Sequence, residues 1–118
     1  MNDTGTTFVP IREITVEQLS QALETIGSAP ALVDVRTEGE HAVAALPAST
    51  LVPLHELPDR VEELSHLRDA AVVVYCHHGV RSKSGAAILE AAGFRDVVSL
   101  RGGIDAWSLR IDPKVPRY

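Results

Sequence analysis

The run AVVVYC, residues 71–76, limits this chain more than any other stretch. Three successive valines and a tyrosine favour an extended backbone, and neither face of the run carries a polar side chain. Such a strand has to be covered on both faces, which is the situation of a parallel sheet packed between helices. The other segments fit that frame. Ile11 to Ile14 reads as a short strand. Thr15 reads as a helix cap, completed three residues on by Gln18, with Leu19, Ala22, Leu23 and Ile26 at helical spacing until Gly27 ends the run. ALVDVR, Ala31 to Arg36, is a second buried strand. A short helix over Gly39 to Ala45, a brief strand at Leu51 and Val52, and a helix from Pro58 to Leu67 with Val61, Leu64 and Leu67 on one face follow. Beyond AVVVYC, Ser82 to Ala92 is a helix with Ser84, Ala87, Ile88 and Ala91 on one side, and Gly93 caps it. Val97 to Leu100 is the last strand and Gly103 to Trp107 the last helix. Strands alternate with helices, so the expectation is an α/β domain around a largely parallel, five-stranded sheet.

A chain of 118 residues with no repeat or dividing linker is expected to be one domain, 1–118, with its core over about 11–107. Hydrophobic residues make up 45% but aromatics only 4%, so the core rests on aliphatic side chains. The formal charge of −5 argues against a nucleic-acid partner. No apolar run is long enough to span a membrane, and MNDTGTTFVP lacks a signal-peptide core. One cysteine excludes an intrachain disulfide, so a reducing cytoplasm is the expected location.

That cysteine, Cys76, stands where the most apolar strand ends. In open α/β sheets ligands sit at the carboxyl ends of strands. The loop His77, His78, Gly79, Val80, Arg81 then enters a helix near Ser82. Backbone N–H groups of a tight loop, together with the positive end of the next helix, favour an anion at the loop centre. The Cys76 thiolate is the natural candidate, and a thiolate is a nucleophile. Gly79 permits a tight turn, Arg81 brings a permanent cation with a fork of donors, and Ser82 brings a hydroxyl for the sulfur. The adjacent His77 and His78 cannot both point into one small pocket. With one cysteine they lack the spacing of a zinc site, and no metal or other cofactor is expected.

YCHHGVRS resembles the active-site loop of the rhodanese family, Cys-x-x-Gly-x-Arg-Ser. LVDVRTEGEH (32–41), LVPLHEL (51–57) and GFRDVVSLRGGIDAW (93–107) resemble further segments of that family, in its order, over about Ile11 to Trp107. The tail WSLRIDPKVPRY resembles the end of rhodanese domains fused to adenylating enzymes that serve ubiquitin-like sulfur carriers. The resemblance implies a three-layer rhodanese-like domain and sulfur transfer. A sulfane-sulfur donor, thiosulfate or a persulfide, would load Cys76, and a thiophilic acceptor would unload it: cyanide in an assay, a thiol or a sulfur-carrier protein in the cell. One departure stands out. Where the family has Gly-His-Ile-Pro-Gly-Ala, this chain has Ala44-Ala45-Leu46-Pro47-Ala48-Ser49.

Two rival readings belong to other classes. A cysteine phosphatase or arsenate reductase of the related branch would need five residues between cysteine and arginine, and here there are four. It would also need a general acid, whereas Asp34, in a buried strand, and Glu40 read as structural, Asp34 pairing with Arg36 or another arginine. A non-catalytic interaction module would not need Cys76, Gly79, Arg81 and Ser82 together. Arg36 and Arg101 are candidate rim residues, His41 a weaker one. Lys83 and the acidic face Asp59, Glu62 and Glu63 read as solvated, and Trp107 as packing. No glycine-rich nucleotide loop is present, so no adenylation by this chain is expected.

Overall fold

The computed structural model describes residues 10–118, so the reading of the first nine residues lies outside it. Strands β1 (Glu13–Ile14), β2 (Ala31–Asp34), β3 (Thr50–Leu51), β4 (Ala71–Tyr75) and β5 (Asp96–Leu100) form one sheet in the order β1-β5-β4-β2-β3, all neighbours parallel. Helices α1 (Val16–Leu23), α2 (Glu38–Val43), α3 (Leu57–Arg60), α4 (Arg81–Ala91) and α5 (Gly103–Arg110), with a 3-10 helix over Val61–Leu67, complete the α/β domain. The central β4 has the two covered faces that its composition demands. Val72, Val74 and Cys76 pack with Val33, Val35, Leu64, Ala86 and Leu89 on one side. Val73 and Tyr75 pack with Leu19, Leu46, Ile104 and Trp107 on the other. Trp107 is buried, as a packing residue is.

Three expectations need correction. The stretch Pro58 to Leu67 is not one α-helix: α3 ends at Arg60 and a 3-10 helix takes over. Val61, Leu64 and Leu67 recur every three residues, and three residues per turn is the geometry that lines them up against the core. On α4 the buried side is Ser82, Gly85, Ala86 and Leu89, not the side of Ser84, Ala87 and Ala91. Small residues let the helix sit close to the sheet: a Cβ on Gly85 would come within 3.1 Å of Val35 and 3.2 Å of Val74. Finally, α1 stops at Leu23, and Ile26, read as part of its apolar face, is fully exposed. Helix α2 carries a capping box that the sequence reading missed, Thr37 with Glu40.

Candidate active site

Cys76 is the first residue beyond β4 and is buried. The loop that follows turns back over it, and two backbone N–H groups donate to its Sγ, Gly79 at 3.1 Å and Ser82 at 3.3 Å. Gly79 has φ +97°, and a Cβ there would lie 3.0 Å from the Gly102 nitrogen and 3.2 Å from the Leu100 carbonyl oxygen. Only glycine lets the turn close this tightly. The Ser82 N–H is one of the donors that the first turn of α4 leaves without a helical partner. The Ser82 hydroxyl lies beside the sulfur: its Oγ accepts from the S–H of the protonated thiol at 3.4 Å and pairs with the Ser99 hydroxyl at 2.7 Å. Ser99, buried on β5, was not foreseen, because a serine inside a strand carries no distinguishing mark in sequence. Negative charge on this sulfur therefore has two fixed donors to rest on.

Arg81 does not hold its fork open. Its Nη1 and Nη2 donate to the two carboxylate oxygens of Glu40 on α2, at 2.7 and 2.9 Å. That pairing holds the Glu40 carboxyl far below the usual carboxylate range despite its partial burial, with Thr37 and Tyr118 adding to the effect. It also raises Arg81, and Cys76 is close enough to contribute to that rise. Tyr118 reaches in from the tail. Its hydroxyl donates to Glu40 Oε2 at 2.9 Å and accepts from Arg36 Nη1 at 2.7 Å, and its ring stacks on His77 with centroids 4.0 Å apart.

Arg36, expected at the rim, is wholly buried. It forms a two-pronged pair with buried Asp34, through Nε at 2.9 Å and Nη2 at 2.7 Å, as the reading of Asp34 foresaw. His41 completes that group, its Nδ1 2.7 Å from Asp34 Oδ2. Burial opposes the charge of Arg36, but Asp34 and Tyr118 outweigh it and keep the group above its ordinary value. Arg101 is exposed and turned to Glu13, 3.3 Å away, and Lys83 approaches the same carboxylate at 3.7 Å. His78 is exposed, whereas His77 lies half-buried under Tyr118. Burial, then the neighbouring His78, push the His77 pKa down. Val80 projects into solvent from the loop tip.

The ligand atoms of His77, His78 and Asp105 lie within 4.8 Å of one another, the arrangement nearest to a metal site among the described residues. Asp105 already holds the Arg117 guanidinium at 2.9 Å. Beside Arg81 runs a cleft of about 250 Å³ lined by Val35, Thr37, Pro53, Leu54 and His55. The residues that sequence reasoning missed here, Ser99, Asp105 and Tyr118, all reach the site across large sequence separations.

A family model described as the rhodanese-like domain matches residues 15–110. A sulfurtransferase of Allochromatium vinosum is 41% identical over 98 residues, 83% of this chain and 89% of that protein. Thiosulfate sulfurtransferase GlpE of Pseudomonas fluorescens is 36% identical over 75% of this chain and 77% of its own length. Probable adenylyltransferase/sulfurtransferase MoeZ of Mycobacterium tuberculosis is 37% identical over 89% of this chain, which spans only 26% of that longer protein. The crystal structure of a rhodanese-like domain protein from Staphylococcus aureus superposes with a TM-score of 0.75 at 30% identity, covering 92% of this chain and 99% of that one.

Proposed function

The chain belongs to the rhodanese-like domain family, whose relatives support sulfur transfer at family level, and we propose that it transfers sulfane sulfur through a persulfide on Cys76. The observation that carries this reading is the convergence of the Gly79 and Ser82 N–H groups on the sulfur of Cys76. With thiosulfate as donor, the Cys76 thiolate attacks the outer sulfur, the S–S bond breaks, and sulfite leaves with the bonding electron pair. The terminal sulfur of the new persulfide takes over the negative charge, and donors of the kind that meet the Cys76 sulfur would stabilise it. The chain has no second cysteine to resolve the persulfide, so the acceptor comes from outside. Cyanide serves in an assay, and a thiol or a carrier protein in the cell. The likeness to an adenylyltransferase/sulfurtransferase and the form of the tail favour a ubiquitin-like sulfur carrier as acceptor. A free thiol that must stay reduced suits a cytoplasmic setting.

Intact-protein mass spectrometry after incubation with thiosulfate or a persulfide, on the native chain and on Cys76→Ser, tests the reading. The expected result is a gain of one sulfur atom in the native chain alone, removed by cyanide. A phosphorylated or arsenylated adduct, or turnover of an aryl phosphate, would instead select the phosphatase branch. The four-residue spacing and the occupied fork of Arg81 both weigh against that branch.

A further inference from the structure

We propose that Glu40 selects the sulfur donor by charge: by occupying Arg81, it turns the site away from dianionic donors such as thiosulfate and toward persulfides whose leaving group is a thiol. This rests on the sulfurtransferase reading. Both terminal nitrogens of Arg81 donate to the two oxygens of Glu40, so its charge is compensated by a bidentate carboxylate. Glu40 is itself fixed from three further directions, by the Thr37 N–H at 3.2 Å, the Thr37 hydroxyl at 3.3 Å and the Tyr118 hydroxyl at 2.9 Å. A carboxylate held on several sides does not swing away at small cost when an anion arrives.

The other cations around the loop are answered in the same way. Lys83 and Arg101 share Glu13, Arg117 is held by Asp105, and Arg36 is buried on Asp34. Thiosulfate expels sulfite, a dianion, and its departure calls for a cation beside the leaving oxygens. Among these residues no guanidinium or ammonium lacks a carboxylate partner. A persulfide makes a smaller demand. The Cys76 thiolate attacks the outer sulfur of R–S–SH, the S–S bond breaks, and R–S⁻ leaves with the electron pair while the outer sulfur and its proton remain as Cys76–S–SH. The departing group carries one charge at the reacting atom, and water can protonate it. Apolar side chains near the site, Val80 at the loop tip and Val35, Pro53 and Leu54 among the residues of the cleft, offer contact to the organic part of a persulfide that thiosulfate lacks.

The test compares the full chain with Glu40→Gln, which keeps an N3 acceptor for the Thr37 capping box while removing the charge. Thiosulfate:cyanide kinetics give KM and kcat, and quenched mass spectrometry gives the rate at which glutathione persulfide loads Cys76. The expected result is a roughly fivefold fall in KM for thiosulfate with kcat changed less than twofold, the size of effect that unmasking one partly screened cation gives. Loading by glutathione persulfide does not rise. The gain fades with added salt and vanishes in Glu40→Gln/Arg81→Leu. An unchanged KM, or an equal fall in the double variant, overturns the role of Glu40 while leaving the sulfurtransferase reading intact. A native chain that takes sulfur from neither donor overturns both.

Discussion

Among the described residues, Ala48 is the one non-glycine with a positive φ, 59°. It stands where the family's Gly-His-Ile-Pro-Gly-Ala segment has its second glycine. The turn it makes is used: the neighbouring Ser49 hydroxyl donates to the Leu46 carbonyl at 2.8 Å and meets the buried Tyr75 hydroxyl at 2.8 Å. A left-handed conformation costs an L-residue about 1–2 kcal/mol, and glycine returns part of that as unfolded-state entropy. Ala48→Gly is therefore expected to stabilise the domain by about 0.5–1 kcal/mol, raising Tm by about 4 °C or less in a thermal melt. A lower Tm would show that the turn is not strained. The missing glycine was legible in the sequence, but the strain was not, because a letter carries no dihedral angle. The arginines make the same point. Sequence paired Asp34 with Arg36 or another arginine, yet it set Arg36 at the rim and left Arg81 without Glu40, because only the folded chain decides between inward and outward rotamers.

Among the elements, α5 braces the loop after Cys76 chiefly through backbone, beside the 3.7 Å approach of the Asp105 carboxylate to His78. The Ile104 and Asp105 N–H groups donate to the carbonyls of Cys76 and His77 at 2.9 and 3.1 Å. Gly103 lies so close that a Cβ on it would run into those same two carbonyl oxygens. Gly103→Ala is expected to push α5 off the loop and destabilise the fold by more than about 2 kcal/mol in urea unfolding. In the fraction that folds, sulfur loading of Cys76 should slow, since Gly79, a donor to the sulfur, lies against Gly102 next to Gly103. Normal stability in this variant would mean that α5 can shift without loss. The order of strands and helices was readable because apolar periodicity reports burial. The bracing was not, since it consists of main-chain groups that every residue possesses. The same limit explains the 3-10 helix: Val61, Leu64 and Leu67 mark one face under either helical geometry.

Over the whole molecule, Glu40 ties α2 to α4 through Arg81 and to the tail through Tyr118, partners 41 and 78 residues away in sequence. Pairings at such separations leave no local pattern, so sequence reading took Glu40 as merely structural and the tail only as a resemblance. The linkage has a definite sign. Folding lowers the Glu40 pKa, so its contribution is complete above the unfolded value of about 4.3 and is lost as the pH falls through the folded value. The stability gap between native chain and Glu40→Gln, followed by urea midpoints, is expected to hold from pH 7 to about 5 and to narrow steadily below about 4. A gap that stayed constant down to pH 3 would take the ion pair out of the acid response.

The strand order has a consequence for how the protein is made. β1 pairs with β5, Glu13 beside Ser99, so on the ribosome the first strand synthesised waits for a partner that emerges only after nearly the whole sheet has been translated. Cys76 leaves the exit tunnel before Leu100 and Gly102, against which Gly79 must close. The surroundings of Cys76 are thus complete only once β5 and the glycines after it have been made, so the cage around the thiol depends on the completed sheet.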